Sequence, residues 1–220
     1  MARRIGITLL GLLLVATTAS AQRVQASFNV GYGASEGITT NRAPLLGQQF
    51  DTLTPTSGAS INLTVGVGLT ENAEVEFLWA RQNSRLQAEG SGGTLPISEL
   101  AIYNYLGNFV YNFGPHDARL RPFLFGGLGA TNYSFGQDLL VGATGNIPGN
   151  TRFSSDWGGG VKFYVTPMVG ARVGVRWTPT YIKSNTTGIW CDPFYGCWPL
   201  VDNQYSNQFE TSAGITLRFH

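Results

Sequence analysis

Charge is scarce in this chain, cysteine scarcer still, and beyond the first residues there is no long apolar run. Acidic and basic residues make up 12% of the 220 residues, about half the usual share for a soluble domain. With a single stretch of apolar residues, Ile5 to Val15, the chain has nothing of the ~20-residue length that a membrane-crossing helix needs. Two cysteines and two histidines complete the shortages. Glycine is the surplus, at 29.

The start of the chain has the layout of an export leader. Arg3 and Arg4 precede the apolar run, and Ala19-Ser20-Ala21 supplies the small-x-small pattern of a cleavage site. The expectation is a signal peptide at 1–21 and a mature domain at 22–220. Without Arg3 and Arg4, 12 basic residues face 13 acidic ones, so no basic excess is available to neutralise phosphates and nucleic acid is not an expected partner.

Alternation is the informative feature of the rest. Val24 to Tyr32 places Val24, Ala26, Phe28, Val30 and Tyr32 on one parity, with Gln25, Ser27 and Asn29 between them. Ala59 to Leu69 alternates likewise, and Val75, Phe77 and Trp79 oppose Glu74 and Glu76. The fourth stretch, about Glu99 to Phe113, sets Tyr103, Tyr105, Phe109 and Tyr111 against Asn104, Asn108 and Asn112. Arg121 to Thr131 is apolar on both parities, and its faces cannot be assigned. Trp157, Val161, Phe163 and Val165 form a sixth stripe, Val169 to Trp177 a seventh, and Tyr205 to Phe219 an eighth. Short turns near Glu71, Pro115 and Pro167 alternate with long connections at about Ala34–Thr56, Asn83–Ser98, Asn132–Thr151 and Pro179–Gln204. Eight strands, each showing an apolar residue at every second position and joined alternately by short and long links, predict an all-β, antiparallel, up-and-down transmembrane β-barrel with short periplasmic turns and long extracellular loops.

A soluble barrel shares the alternation but buries its apolar face. Here the opposite face carries Glu74, Glu76, Asp156, Lys162, Arg172, Arg176, Glu210 and Arg218, too many charges for a dry apolar core. Counting up from the short turns puts Glu74, Glu76 and Arg172 at one level, with Lys162 beside Arg172, and Arg176, Asp156 and Glu210 higher. Two adjacent cations require an acid between them, so the first seven of these residues are expected to form an ion network in the lumen. A wet channel lined by the same residues is the alternative. Aromatics such as Tyr32, Trp79, Tyr103, Trp157, Trp177 and Phe219 are expected near strand ends as interfacial girdles.

Cys191 and Cys197 flank Asp192-Pro193-Phe194-Tyr195-Gly196 in the last long connection. In an exported chain two nearby cysteines favour a disulfide, whereas two thiols alone make a poor metal site. Closing about seven residues stabilises by ~2.4 kcal/mol in the chain-entropy account. His116 falls in a predicted short turn and His220 is last, so neither stands where an acid–base catalyst at an outer rim would be needed. No catalysis, cofactor or metal is expected.

The segment Ser212-Ala213-Gly214-Ile215-Thr216-Leu217-Arg218-Phe219 resembles the sorting signal of outer-membrane barrels, with Gly214, Ile215, Leu217 and Phe219 as its pattern. Tyr111-Asn112-Phe113-Gly114 with Arg121-Pro122-Phe123-Leu124-Phe125-Gly126-Gly127-Leu128-Gly129 resembles the centre of OmpA-type barrel domains, and Gly158 to Phe163 with Val169 to Trp177 their last hairpin. The resemblance implies an eight-stranded barrel in the outer membrane, with lipid and the barrel assembly machinery as partners and a monomer as the unit. A structural or surface-interaction role is the leading expectation, a narrow passive pore the second and a soluble periplasmic ligand-binding barrel the third.

Overall fold

The computed structural model describes residues 23–45, 48–90, 93–138, 150–181, 189–192, 196–199 and 205–219. Among them the chain forms strands and no helix; the leader at 1–21 lies outside the described residues. Eight long strands make a wall: β1 (Val24–Ser35), β4 (Gly58–Gly68), β5 (Ala73–Gly90), β6 (Gly93–Asn112), β7 (Leu120–Asp138), β8 (Asn150–Tyr164), β9 (Val169–Tyr181) and β12 (Tyr205–Phe219). Each is antiparallel to the next, and β5 pairs with β6 while β1 pairs with both β4 and β12, so the ladder runs round a closed ring. Closure joins the two ends of the sequence, with Val24 opposite Phe219 and Phe28 opposite Ile215. A closed ring leaves no unpaired edge, which is the condition for strands to cross lipid.

Two further hairpins decorate the long-connection end. β2 (Ile38–Leu45) and β3 (Gln48–Pro55) add to the upper half of β5, where Pro55 lies opposite Leu86 and Leu53 opposite Ala88. β10 (Ile189–Asp192) and β11 (Gly196–Pro199) pair with each other.

The short turns are closed by local chemistry. Thr70 Oγ1 accepts from the amides of Asn72 and Ala73 at 3.3 and 3.0 Å, and Thr166 Oγ1 does the same for Met168 and Val169 at 3.3 and 3.0 Å. A threonine hydroxyl that caps a turn in this way replaces a backbone partner. The third turn uses Gly114 at φ +86°, a left-handed conformation that costs a side chain more than it costs glycine.

The apolar parities face outward. Phe28, Val30, Leu63, Val65, Phe77, Phe109, Leu124, Val173, Val175 and Ile215 are all exposed around the ring, a continuous apolar belt that no water-soluble monomer carries. That belt overturns the soluble periplasmic barrel. β7, unassignable by alternation, turns Leu120, Leu124 and Leu128 outward and Arg121, Phe123 and Thr131 inward.

Above the belt the sequence reading needs correction. Asn83–Ser98 is a continuation of the β5–β6 ladder to Gly90 and Gly93, not a loop. The polarity of the alternation reverses there: Arg81, Asn83 and Arg85 point outward, while Leu86, Ala88, Leu100 and Ile102 pack inside with Leu53, Ile97 and Phe135. Lipid outside demands apolar residues on that face, and water outside demands the opposite. The other long connections also begin later than alternation suggested, since β1 runs to Ser35, β7 to Asp138 and β9 to Tyr181, and β8 starts at Asn150. Accordingly Trp79, Tyr103, Trp157 and Trp177 stand mid-strand, at the upper boundary of the belt, rather than at strand ends. From Phe219 to Phe209 is about ten residues, roughly 25 Å of height for a strand tilted by ~40°.

Candidate functional site

Among the described residues, the interior gathers buried charge of both signs. Inward positions on β5, β8, β9 and β12 hold the acids and bases, and glycines beside them leave room. A Cβ at Gly160 would lie 2.0 Å from the Val173 carbonyl oxygen, and one at Gly127 2.0 Å from Asn108 Oδ1. Their absent side chains let neighbouring strands and long charged groups approach.

The lower level contains Glu74, Glu76, Lys162 and Arg172. Lys162 and Arg172 are cross-strand partners on β8 and β9, and each reaches over the lumen to its own acid. Lys162 Nζ pairs with Glu74, which also accepts from Asn112 Nδ2 at 2.6 Å. Arg172 grips Glu76 with both terminal nitrogens, Nη2 donating to Oε1 at 3.1 Å, and Nη1 donates to Thr64 Oγ1 at 3.2 Å. Phe123 fills the space between the two cations, its ring centroid 5.3 Å from Lys162 Nζ and 4.6 Å from Arg172 Cζ. An aromatic face between two cations attracts both and screens their repulsion.

The upper level contains Asp156, Arg176 and Glu210. Arg176 Nη2 donates to Glu210 Oε2 at 2.6 Å, and its Nε stands 4.0 Å from Asp156 Oδ1. Asp156, with no exposed surface, is held more firmly by Asn108 Nδ2 at 2.8 Å and Thr178 Oγ1 at 3.0 Å. Asn62 Nδ2 donates to the second oxygen of Glu210. A neutral level follows, in which Thr131, Ser154, Thr180 and Asn104 are linked by hydrogen bonds of 2.7–3.3 Å. Higher still, the apolar cluster around Ile102 lines the inner side of β3, β5, β6 and β7.

Alternation placed the seven charged residues inside but could not reveal Phe123, because both parities of its strand are apolar. Asn62, Asn108, Asn112 and Thr178 were visible as polar positions without a stated role. In the sorting segment, Ile215, Leu217 and Phe219 face outward on β12, and Gly214 lies opposite Asn29 and Arg172. Cys191 and Cys197 are partners in the β10–β11 register, and their side chains lie outside what is described, as does His220. His116 sits in the β6–β7 turn, where its carbonyl accepts from Arg218 Nη1 at 3.0 Å.

Residues 7–218 match the family described as outer membrane protein beta-barrel domain. Among solved structures, the chain is similar to Neisserial surface protein A, with 17% identity over 91% of this chain and 98% of that one, at a TM-score of 0.56. It is similar to outer membrane protein OprG from Pseudomonas aeruginosa, with 13% identity over 90% and 95% of the two chains and a TM-score of 0.56. The outer membrane protein AlkL in lipid bilayers shares 17% identity over 90% of each chain, at 0.54. These identities speak to fold alone. No curated protein sequence matches.

Proposed function

This chain belongs to the outer membrane protein beta-barrel domain family, and on that premise we propose that it is a non-enzymatic wall element of the outer membrane, sealed along its axis and serving envelope integrity or contact with the surroundings. It is exported by its leader at 1–21, inserted by the barrel assembly machinery and held by lipid as a monomer.

The observation that carries the sealed reading is the stack of side chains across the bore. Lys162–Glu74, Arg172–Glu76 and Phe123 occupy one level, Asp156, Arg176 and Glu210 the next, and the cavity beside Arg176 is only about 30 Å³. That is room for a water or two. Eight strands give an interior that side chains can fill.

Contact with the surroundings is supported by the height of the wall. β5 and β6 continue for about eleven residues beyond Trp79, roughly 25–30 Å above the belt, with a polar exterior and an apolar core of its own. Planar-bilayer recording tests the proposal. No steady conductance is expected from the wild type; a stable open level in most insertions would replace the sealed reading with the narrow pore.

A further inference from the structure

The cations of the short-turn end are built differently from those of the lumen. Four arginines gather there: Arg23 just before β1, Arg119 and Arg121 at the start of β7, and Arg218 near the end of β12. Lys162, Arg172 and Arg176 each meet a carboxylate. Arg121 and Arg218, at 3% and 6% exposure, make no ion pair among the described residues. Each is anchored by a backbone carbonyl: Arg121 Nη2 donates to Glu71 O at 2.9 Å, and Arg218 Nη1 donates to His116 O at 3.0 Å. The Arg218 guanidinium also lies over the Tyr164 ring, 3.8 Å from its centroid. Arg121 Nε and Arg218 Nη2 are buried and have no hydrogen-bond partner.

Both arginines line one small cavity with Arg23. Arg218 also walls a second cavity of about 310 Å³ between the β6–β7 and β8–β9 turns, shared with Arg119 and Val165. Of the nearby acids, Glu74 is taken by Lys162, leaving Glu71 and Asp117 against four arginines. Guanidinium donors withdrawn from water and left without an anion are costly unless an anion is supplied. Arginine's flat fork suits phosphate oxygens.

We propose that the short-turn end is a phosphate-binding site in the larger cavity, in which Arg218 Nη2 and the Arg119 guanidinium donate to the phosphate oxygens and Arg121 and Arg23 supply the surrounding positive field. The phosphate comes either from the head of an anionic phospholipid or from free phosphate. The larger cavity is of ligand-site size, and Val165, strongly exposed on the outward face, joins it to the apolar belt. The lipid source rests on the outer-membrane reading; the free-phosphate source does not.

The test uses the full-length protein in uncharged detergent micelles. Inorganic phosphate is titrated against chloride at matched ionic strength by calorimetry, and native mass spectrometry compares retention of phosphatidylglycerol with phosphatidylcholine. Saturable binding at one site per chain is expected. Arg218→Gln and the exposed Arg119→Gln should each weaken it about tenfold or more, the size of a lost charge-assisted hydrogen bond, and Arg121→Gln should weaken it less. Arg85→Gln, at the far end, should leave it unchanged. Arg119→Gln keeps the test valid if the buried variants fail to assemble. Preference for phosphatidylglycerol assigns the lipid source, and phosphate binding without that preference assigns the free anion. Binding of neither, or equal binding by wild type and Arg119→Gln, overturns the site. Wild-type protein that shows no heat-modifiable gel mobility overturns the membrane reading instead, and the phosphate titration still decides the site.

Discussion

Replacing Arg172 by alanine removes a cation that meets Glu76, Thr64 and Phe123 in the lumen. Glu76, 1% exposed, takes its hydrogen bonds from Arg172 on both oxygens. Abandoning a buried carboxylate in this way costs about 3–5 kcal/mol. The same change uncovers the Phe123 ring face that lies 4.6 Å from the guanidinium, worth about 2 kcal/mol more in a desolvated setting. Water entering the vacated space returns part of this, so the expected loss is about 4–6 kcal/mol, a large share of a domain's usual 5–15 kcal/mol. Removing both charges, as in Arg172→Met with Glu76→Leu, leaves nothing unpaired and should recover most of the loss. Urea unfolding from lipid vesicles, followed by tryptophan emission and gel mobility, gives the four stabilities of the cycle made by wild type, Arg172→Met, Glu76→Leu and the double variant, with Arg172→Ala measured beside them. Single variants within about 1 kcal/mol of wild type, or a double variant as weak as the two losses added, would show that the lumen is wet enough to screen the pair and would refute the reasoning.

Val173 faces lipid and Gly174 the lumen, so Val173→Arg should cost about 2–4 kcal/mol of assembly stability while Gly174→Ser costs far less; matched folding yields in vesicles would mean the faces are reversed. Gly127→Ala drives a Cβ to 2.0 Å from Asn108 Oδ1 and 2.3 Å from the Gly107 carbonyl, and should lower stability by about 1–3 kcal/mol through overpacking; a denaturation midpoint unchanged from wild type would contradict the tight β6–β7 approach. A disulfide between Cys191 and Cys197, expected from their spacing in an exported chain, predicts that exported protein, denatured without reductant, resists alkylation at both positions, with about 2.4 kcal/mol lost on reduction; two labelled thiols would defeat the expectation.

Parity was legible where an apolar face meets lipid and a polar face meets the lumen. In β9 the alternation of Val169, Ala171, Val173 and Val175 with Gly170, Arg172, Gly174 and Arg176 names both faces without ambiguity. β7 resisted because its interior positions include Phe123 and Phe125, apolar groups placed among cations where a polar residue would have been the readable choice. Above Trp79 the signal failed for another reason: Arg81, Asn83 and Arg85 outside and Leu86 and Ala88 inside alternate with the opposite sign, so a template expecting lipid on the outer face reads a strand as a loop. Within the lumen, parity says which side chains enter, and counting from the turns gives their height. It does not choose partners. That Asn62 would hold one oxygen of Glu210, or that Asp156 would rest on Asn108 and Thr178 more than on Arg176, depends on angular positions around the ring that one-dimensional spacing does not carry.

The pairing of Val24 with Phe219 makes chain order dispensable to the finished ring. Every wall strand would keep both neighbours if a short linker joined residue 23 to residue 219 and the chain were opened instead at the β5–β6 tip between Gly90 and Gly93. Such a circular permutant retains the ladder and the lumen, and differs in having no terminal aromatic strand for an assembly factor to grasp. If the assembly machinery reads the aromatic end, as proposed, spontaneous insertion into vesicles and delivery in cells would then part company, since thermodynamics reads a circle and such a factor reads a line with a marked end.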